Sequence, residues 1–483
     1  MPRNFFANQV ATIKMVKESA PISLGTENVG KLLLQYAIPA IIAMAASSIY
    51  NITDSIFIGH GVGSLALSGL AITFPLMNLG AAFGSLIGVG ASTLLSVRLG
   101  QKDYETANNI LGNVISLNLI LGLLFSVVTL IFLKPILYFF GASNDTLPYA
   151  YDFMVIILCG NVFTHMYLGL NAMLRSSGSP QKAMMATIFT VIINLILNPT
   201  FIFVFGWGIR GSAFATVIAQ VIVLMWQIKI FSNKKYFIHL KKGIYRIKHK
   251  ILKDSLSIGM APFLINSASC VIVILINQNL IKYGGDLAVG AYGIVNRMAF
   301  LFIMITLGLN QGMQPIAGYN FGACLYSRVT EVLKKTIFWA TIVMTFGFIL
   351  VELFPHAVAA TFTTDKQLID IAVTGLHRVF IFYPLVGFQI VTSTFFQSIG
   401  MPKKAILLSL TRQVIFLIPC LLILPRYLGV NGVWISLPIA DFIAFILSIT
   451  LLIPQLRLFA LKNETENNFL QEETIPFRGN LSP

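Results

Sequence analysis

Apolar stretches of about twenty residues alternate with short polar connections along most of the chain. A helix of about 20 apolar residues is long enough to cross the hydrocarbon core of a bilayer. Twelve such segments lie near residues 32–58, 66–92, 107–133, 151–174, 183–205, 211–231, 255–281, 288–312, 335–354, 371–396, 405–424 and 432–455. The pattern therefore predicts an all-α polytopic membrane protein with twelve transmembrane helices.

The composition supports this prediction. Hydrophobic residues make up 56% of the chain and charged residues 11%, and the mean hydropathy is +0.82. A soluble domain is about 25% charged, so this chain needs lipid to cover much of its surface. The four cysteines show neither pairing nor CxxC spacing, which argues against a disulfide framework or a metal site. They are Cys159, Cys270, Cys324 and Cys420.

Twelve spans place both ends of the chain on one side of the membrane, and the basic residues indicate which side. Of the 33 Lys and Arg, 25 fall on the side of the termini and five on the other. Cytoplasmic loops carry the excess of Lys and Arg, so we expect both termini in the cytoplasm. The net charge of +15 follows this one membrane face, which argues against nucleic-acid binding. The basic segment 229–254 is expected to lie against anionic lipid headgroups of the bilayer.

Four pairs of segments recur at an offset of 221 or 222 residues. They are LRSSGSPQKAMMATI from 174 with FQSIGMPKKAILLSL from 396, GIRGSAFATVIAQ from 208 with GVNGVWISLPIAD from 429, SLAL from 64 with DLAV from 286, and RLGQKDY from 98 with NFGACLY from 320. This agreement predicts two pseudo-symmetric six-helix lobes. We expect a polar leader without a cleavable signal peptide (1–30), a first lobe (31–231), a basic linker (232–254), a second lobe (255–456) and a tail (457–483).

Two halves of equal orientation, joined by a linker, are typical of a transporter whose substrate path runs between them. The sequence contains no phosphate-binding loop, GxSxG elbow or HExxH helix. We therefore expect no enzymatic activity and no cofactor, and we expect transport to be driven by an ion gradient. A receptor or a non-transporting scaffold is the alternative of a different class, although neither has an obvious need for the duplication.

One group of polar residues inside the spans suggests an ion site. Of the 18 acidic residues, only Asp54 and Asp441 fall well inside a span. A carboxylate in lipid is costly and normally faces a cavity, a partner or a functional site. Asp54 shares a helix face with Asn51. In span 5, Asn194 and Asn198 lie four residues apart, and span 6 adds Thr216. The oxygens of these side chains are suitable ligands for Na⁺, and a desolvated Asp54 could instead bind a proton. The alternative for the asparagines is hydrogen bonding between helices.

Other residues inside the spans have several interpretations. Arg412 and Asp441 are expected to form a structural ion pair, with direct ligand contact as the alternative. Pro39 is expected to bend span 1, either passively or in response to the occupancy of Asp54. The candidate residues of a substrate cavity are Tyr36, Tyr50, His165, Asn296, Arg297 and Gln311. His165 has hydrogen-bonded packing as its alternative, and aromatic side chains would attract organic cations.

Four segments resemble the multidrug and toxic compound extrusion (MATE) transporters of the multidrug/oligosaccharidyl-lipid/polysaccharide (MOP) exporter superfamily. They are AIPAIIAMAASSIYNITDSIFIGHG from 37, RLGQKDYETANNI from 98, LRSSGSPQKA from 174 and NLILNPTFIFVFGWGIRGSAFATVIAQ from 194. The pairing of RQ at 412 with PIAD at 438 resembles the bacterial multidrug-exporter (DinF-like) branch. The resemblance covers roughly residues 28–454.

The resemblance implies a V-shaped molecule of two six-helix lobes that exports cationic, amphipathic compounds in exchange for H⁺ or Na⁺. It implies that Asp54 is the coupling carboxylate, that Asn194, Asn198 and Thr216 are its polar neighbours, and that Pro39 is the bending proline. Two departures stand out: relatives commonly have Asp-Pro where this chain has Asn198-Pro199, and span 7 contains no acid.

We therefore expect a monomeric antiporter of the bacterial inner membrane. Its expected partners are small organic cations and the bilayer, and it requires no metal beyond Na⁺ if Na⁺ is the coupling ion. The nearest alternative is a lipid-linked oligosaccharide flippase of the same superfamily. A flippase would need cationic residues in its cavity to bind pyrophosphate, and Arg297, Arg378 and Arg412 are available for that role.

Overall fold

Twelve long helices form the molecule, a computed structural model that describes residues 22–474. The helices are α1 (Val29–Gly61), α2 (Ser64–Gly100), α3 (Tyr104–Ile131), α4 (Leu147–Ser176), α5 (Pro180–Val204), α6 (Gly208–Ser232), α7 (249–284), α8 (286–322), α9 (Tyr326–Leu353), α10 (Lys366–Phe380 with Tyr383–Ser398), α11 (Pro402–Leu428) and α12 (Val430–Thr474). Short helices cover Ser23–Thr26, Leu133–Phe139 and Pro355–Ala360.

Two of these assignments depend on breaks within longer helical stretches. His249–Gly322 is helical except at Gly285, whose φ of 67° and ψ of −168° separate α7 from α8. The two parts of α10 meet at a bend of 52°. With these two breaks, the helices match the twelve predicted spans. The prediction of an all-α polytopic membrane protein is confirmed.

The backbone repeats at the offset that the sequence predicts. Left-handed conformations occur in pairs 221 or 222 residues apart, where one helix ends and the next begins. The pairs are Gly63 with Gly285, Lys102 with Cys324, Gly178 with Gly400, and Gly208 with Gly429. The two lobes are therefore structural repeats of one six-helix unit. Both α5 and α11 contain a π-helical segment, but Thr200–Val204 and Thr411–Leu417 begin 211 residues apart and so do not lie at equivalent positions.

The lobes meet at one end of the bundle. We call this end the linker face, because it carries the linker between α6 and α7 together with the start of α1. A Cβ on Gly259 of α7 would overlap the carbonyl oxygen of Leu86 on α2, so the two backbones are in direct contact there. A Cβ on Gly312 of α8 would lie 2.6 Å from the backbone nitrogen of Ala37 on α1. We refer to these contacts of α1 and α2 with α7 and α8 as the seam.

Beyond the seam, side chains on both lobes are exposed, including Ile49 and Phe74 of the first lobe and Val271 and Phe300 of the second. The contact between α2 and α7 extends as far as Cys270, whose Sγ lies 3.7 Å from the carbonyl oxygen of Pro75. The V shape that the resemblance implies is therefore closed at the linker face and along α2 and α7 up to Cys270.

The first half of α1 packs in the second lobe. Leu33 and Tyr36 belong to one buried cluster with Leu309 and Met313 of α8 and Val332 of α9. The boundary of the first lobe at residue 31 therefore stays a prediction, as do the other domain boundaries. Of the predicted leader and tail, residues 1–21 and 475–483 lie outside the described residues.

Candidate ion-coupling site and substrate path

Asp54 lies at the centre of a buried polar site between α1, α5 and α6. Its Oδ1 accepts a hydrogen bond from the hydroxyl of Ser212, 2.6 Å away, and another from Nδ2 of Asn198. The exposed fraction is 8% for Asp54 and 0% for both donors. Water therefore contributes little to stabilising the carboxylate, and two neutral donors take its place.

A second layer lies one helical turn away. Nδ2 of Asn194 donates to Oγ1 of Thr216 over 3.2 Å, and the hydroxyls of Tyr50 and Thr216 are 2.9 Å apart. Asn194 and Thr216 are buried, whereas Tyr50 is half-buried. The second layer therefore extends the polar site from the buried carboxylate toward a partly exposed tyrosine.

The helix period explains why these residues meet. Each of the three helices contributes two residues four positions apart, which places both on one face. The pairs are Tyr50 with Asp54, Asn194 with Asn198, and Ser212 with Thr216. Three such faces packed together give two polar layers between α1, α5 and α6.

The charge balance of the site is unusual. Among the residues that the structure describes, no Lys, Arg or His forms an ion pair with Asp54. Oδ1 of Asn198 is also buried without a hydrogen-bond partner. A buried carboxylate beside an unused amide oxygen can be neutralised by a proton or by a small cation. The arrangement is therefore chemically suited to reversible cation binding.

Ser212 is a member of the site that is absent from the residues predicted from the sequence. Its hydroxyl is one of the two donors to the carboxylate. A signal was available, because Ser212 precedes Thr216 by four residues, as Asn194 precedes Asn198. Tyr50 was expected in the substrate cavity, and the structure bonds it to Thr216 beside the ion site.

Three predicted residues lie away from their expected positions. Asn51 is exposed, and its amide donates to the backbone oxygen of Ser47 on the same helix rather than joining Asp54. Tyr36 is 4% exposed and packs in the core formed with the second lobe, so it does not line an open cavity. His165 is fully buried within the first lobe, with Nε2 2.9 Å from the carbonyl oxygen of Gly80 on α2. His165 is therefore placed as a hydrogen-bonded packing residue, the alternative to a place in the substrate cavity.

The remaining cavity candidates lie on α8. Asn296 and Arg297 are exposed, and Gln311 is half-buried next to Gly312 of the seam. Among the described residues, none of the hydrogen bonds of the Asp54 site involves these three side chains, and their part in a substrate path stays a prediction. Pro39 is buried in α1 within the stretch that contacts α8.

Arg412 and Asp441 are brought together in the second lobe. Nε of Arg412 lies 2.5 Å from Oδ1 of Asp441, and the two side chains are 24% and 9% exposed. Arg378 donates to the side chain of Asn431 near the face opposite the linker. Of the three arginines within spans, Arg378 and Arg412 each have a polar partner of their own, and Arg297 is exposed.

Together, the two lobes, the seam and the buried carboxylate define a polytopic membrane protein of the two-lobe transporter class. The MatE family model matches residues 39–200 and again residues 258–422. The chain therefore belongs to the MatE family. The double match also supports the two-lobe repeat.

Individual relatives agree with this assignment. The chain is 28% identical over 411 residues to the multidrug export protein MepA of Staphylococcus haemolyticus, covering 85% of this chain and 90% of MepA. MepA of Staphylococcus aureus strain MSSA476 gives the same identity and coverage. Among solved structures, an outward-facing multidrug resistance MATE family transporter of the MOP superfamily matches with a TM-score of 0.85, at 24% identity, over 91% of this chain and 98% of that chain. A MATE structure in a bent conformation matches with a TM-score of 0.86 at the same identity and coverage.

Proposed function

We propose that the chain is a secondary antiporter that exports cationic, amphipathic compounds from the bacterial cytoplasm in exchange for H⁺ or Na⁺. Its relatives of the same family include proteins named for multidrug export. The observation that carries the exchange is the Asp54 carboxylate, which is buried in a membrane helix and held by two neutral donors. A carboxylate in that position needs a cation to neutralise it at some stage of the cycle.

The proposed topology places the linker face in the cytoplasm of a bacterial inner membrane, because the excess of Lys and Arg lies on that side. The V then opens to the outside. In this state a cation reaches Asp54, α1 bends near Pro39, the cavity of the first lobe shrinks, and the drug leaves. The chain carries out this cycle as a monomer.

We propose a proton as the coupling ion. Asn198 and Ser212 donate to the ionised carboxylate, and each also has an oxygen that can accept a hydrogen bond from the protonated form. The amide of Asn198 can serve either protonation state, since its NH₂ group donates to a carboxylate and its oxygen accepts from a carboxyl group. An aspartate at position 198 would lack the NH₂ donor.

The test is ethidium efflux from vesicles under an imposed pH gradient or an imposed Na⁺ gradient. Efflux that follows the pH gradient alone supports proton coupling, and efflux that follows the Na⁺ gradient alone contradicts it. Asp54→Asn removes the titratable group with little change in shape and should abolish gradient-driven efflux. Thr53→Ala is the matched control, because that hydroxyl bonds only to the backbone oxygen of Ile49 in its own helix. Equal efflux by Asp54→Asn and the wild type would refute the coupling role.

A further inference from the structure

The basic linker is docked on the flank of α3. Side chains of α3 satisfy five backbone groups of the linker. Nδ2 of Asn113 lies 3.3 and 3.2 Å from the carbonyl oxygens of Ile244 and Arg246, and its Oδ1 accepts from the amide of Lys248 over 2.9 Å. The hydroxyl of Ser116 donates to the carbonyl oxygen of Tyr245 over 2.8 Å, and Oδ1 of Asn108 accepts from the amide of His239 over 3.3 Å.

Apolar and aromatic contacts hold the same segment in place. Ile238 and Ile244 are 2% and 6% exposed. A Cβ on Gly112 of α3 would overlap the carbonyl oxygen of Ile244, so only a glycine there allows the linker to lie this close. Phe237 packs edge-on against Tyr104 at the start of α3, with ring centroids 4.5 Å apart. The linker is therefore an ordered part of the surface.

The position of the docked segment along α3 corresponds to the headgroup region of a bilayer. Its polar partners on α3 end at Ser116, and the exposed apolar band that faces lipid begins at Leu119. Irregular backbone is not tolerated in hydrocarbon unless protein groups satisfy it, which the α3 side chains do here. The linker therefore runs directly beside the boundary between the hydrocarbon core and the headgroups.

The outer surface of the segment is strongly basic. Eight exposed cations project from it: Lys234, Lys235, Lys241, Lys242, Arg246, Lys248, Lys250 and Lys253. Only Lys248 has an acidic partner among the described residues, Glu105 at 3.8 Å, and that pair is largely exposed. Tyr245 and Ile247 are 44% and 37% exposed between these cations. An amphipathic aromatic ring flanked by unpaired cations is typical of segments that bind the interface of an anionic membrane.

We propose that the docked linker, residues 234–253, is a binding surface for anionic phospholipid headgroups, with the cations contacting phosphate and Tyr245 and Ile247 inserted among the lipid chains. Bound lipid holds α3 to the start of α7 through the linker, so it stabilises the folded protein. The inference requires a membrane location but no particular coupling ion or substrate, so it stands or falls separately from the proposed transport cycle.

The test measures thermal unfolding of the purified full chain in detergent with added phosphatidylglycerol or phosphatidylcholine. Phosphatidylglycerol should raise the melting temperature of the wild type, and phosphatidylcholine should not. The effect should weaken as NaCl is increased, because salt screens exposed charges. Equal stabilisation by both lipids would overturn the proposal. Equal stabilisation by phosphatidylglycerol and free glycerol phosphate would also overturn it, because that result would indicate a site for soluble anions.

A charge-removing variant locates the effect. The linker variant combines Lys241→Gln, Lys242→Gln, Arg246→Gln and Lys250→Gln. The control variant removes the same charges from exposed sites elsewhere on the linker face by Lys102→Gln, Lys334→Gln, Lys403→Gln and Arg457→Gln. The linker variant should need about tenfold or more phosphatidylglycerol for half-maximal stabilisation, whereas the control should behave like the wild type. An equal shift in both variants would mean that only total charge matters and would overturn the assignment to the linker.

Unfolding without added lipid separates this result from misfolding. The linker variant keeps the buried Ile238 and Ile244 and the partners on α3, so its melting temperature in detergent alone should match that of the wild type. Asn113→Ala gives the complementary change: it keeps every cation but removes the partner of three backbone groups. Weakened phosphatidylglycerol stabilisation in this variant would support the docked geometry, and unchanged stabilisation would contradict it.

Discussion

Gly312→Ala would test whether close helix contact at the seam keeps the linker face closed. Gly312 lies on α8 where this helix crosses α1 beside Pro39. A Cβ at this position would lie 2.6 Å from the backbone nitrogen of Ala37, 2.7 Å from its Cα and 2.9 Å from its Cβ. Two of these atoms belong to a helix backbone and the third, the Cβ, is fixed directly to it, so none of them can yield by a change of rotamer. Instead, α1 and α8 must move apart.

The size of the effect follows from these distances. Ordinary contact for a Cβ begins near 3.4 Å, so the helices must separate by about 0.8 Å at this point. Overpacking of this kind costs about 1–3 kcal/mol. The helix preference of alanine over glycine does not change this balance, because α8 is a helix whether the seam is open or closed. We expect a loss of about 1–3 kcal/mol in the closed seam, which corresponds to roughly a 5- to 150-fold rise in the open population.

Cysteine labelling measures that population. Leu33 lies on α1 one turn nearer the linker face than Ala37 and is 2% exposed, so Leu33→Cys should react slowly with a membrane-impermeant maleimide while the seam is closed. The four native cysteines are replaced by alanine in this background. Adding Gly312→Ala should speed the labelling about fivefold or more. Gly293→Ala on the same helix is the control, since no atom lies within 4 Å of its added Cβ. Equal labelling rates with the two alanines would refute the steric argument.

Three further substitutions test the polar groups inside the lobes. Ser212→Ala removes one of two donors to Asp54. Because a hydrogen bond to a charged group contributes about 1.5–3 kcal/mol, gradient-driven ethidium efflux should fall about tenfold. An unchanged initial rate of efflux would contradict the role of this hydroxyl. Asn198→Asp places a second carboxylate beside Asp54, so efflux driven by a Na⁺ gradient should rise relative to efflux driven by a pH gradient. An unchanged ratio of the two rates would count against position 198 as a determinant of ion choice. Arg412→Gln leaves Asp441 buried and unpaired, so the melting temperature should fall, at a cost of about 3 kcal/mol. Adding Asp441→Asn removes the unpaired charge and should recover part of that stability; no recovery would contradict the role of the ion pair.

The fold was largely predictable because lipid imposes a simple pattern on the sequence. Every spanning helix must be long and apolar, so the twelve segments could be recognised from hydropathy alone. The repeat was equally visible, because glycines and prolines at helix boundaries must recur where the backbone does. Gly178 and Gly400 illustrate this, since both adopt left-handed conformations that few other residues tolerate.

The membership of the site was less predictable, because helix periodicity leaves a choice between neighbouring residues. Tyr50 and Asn51 lie four and three positions before Asp54, and both spacings place a residue on the face of Asp54. Packing against α5 and α6 selects Tyr50, and Asn51 is left to bond within its own helix. Ser212 is hard to predict because a serine in a membrane helix is common and often bonds to its own backbone.

The repeat itself sharpens the interpretation of Asp54. The position equivalent to Asp54 in the second lobe is Ile276, which is fully buried, and the equivalents of Asn198 and Ser212 are Cys420 and Val433. The second lobe thus keeps the scaffold but has an apolar cluster at this place. Its only buried acid among the described residues, Asp441, is already neutralised by an arginine. In the proposed antiport cycle, the coupling cation would therefore bind in the first lobe only, and its binding would move that lobe against a second lobe that lacks such a carboxylate.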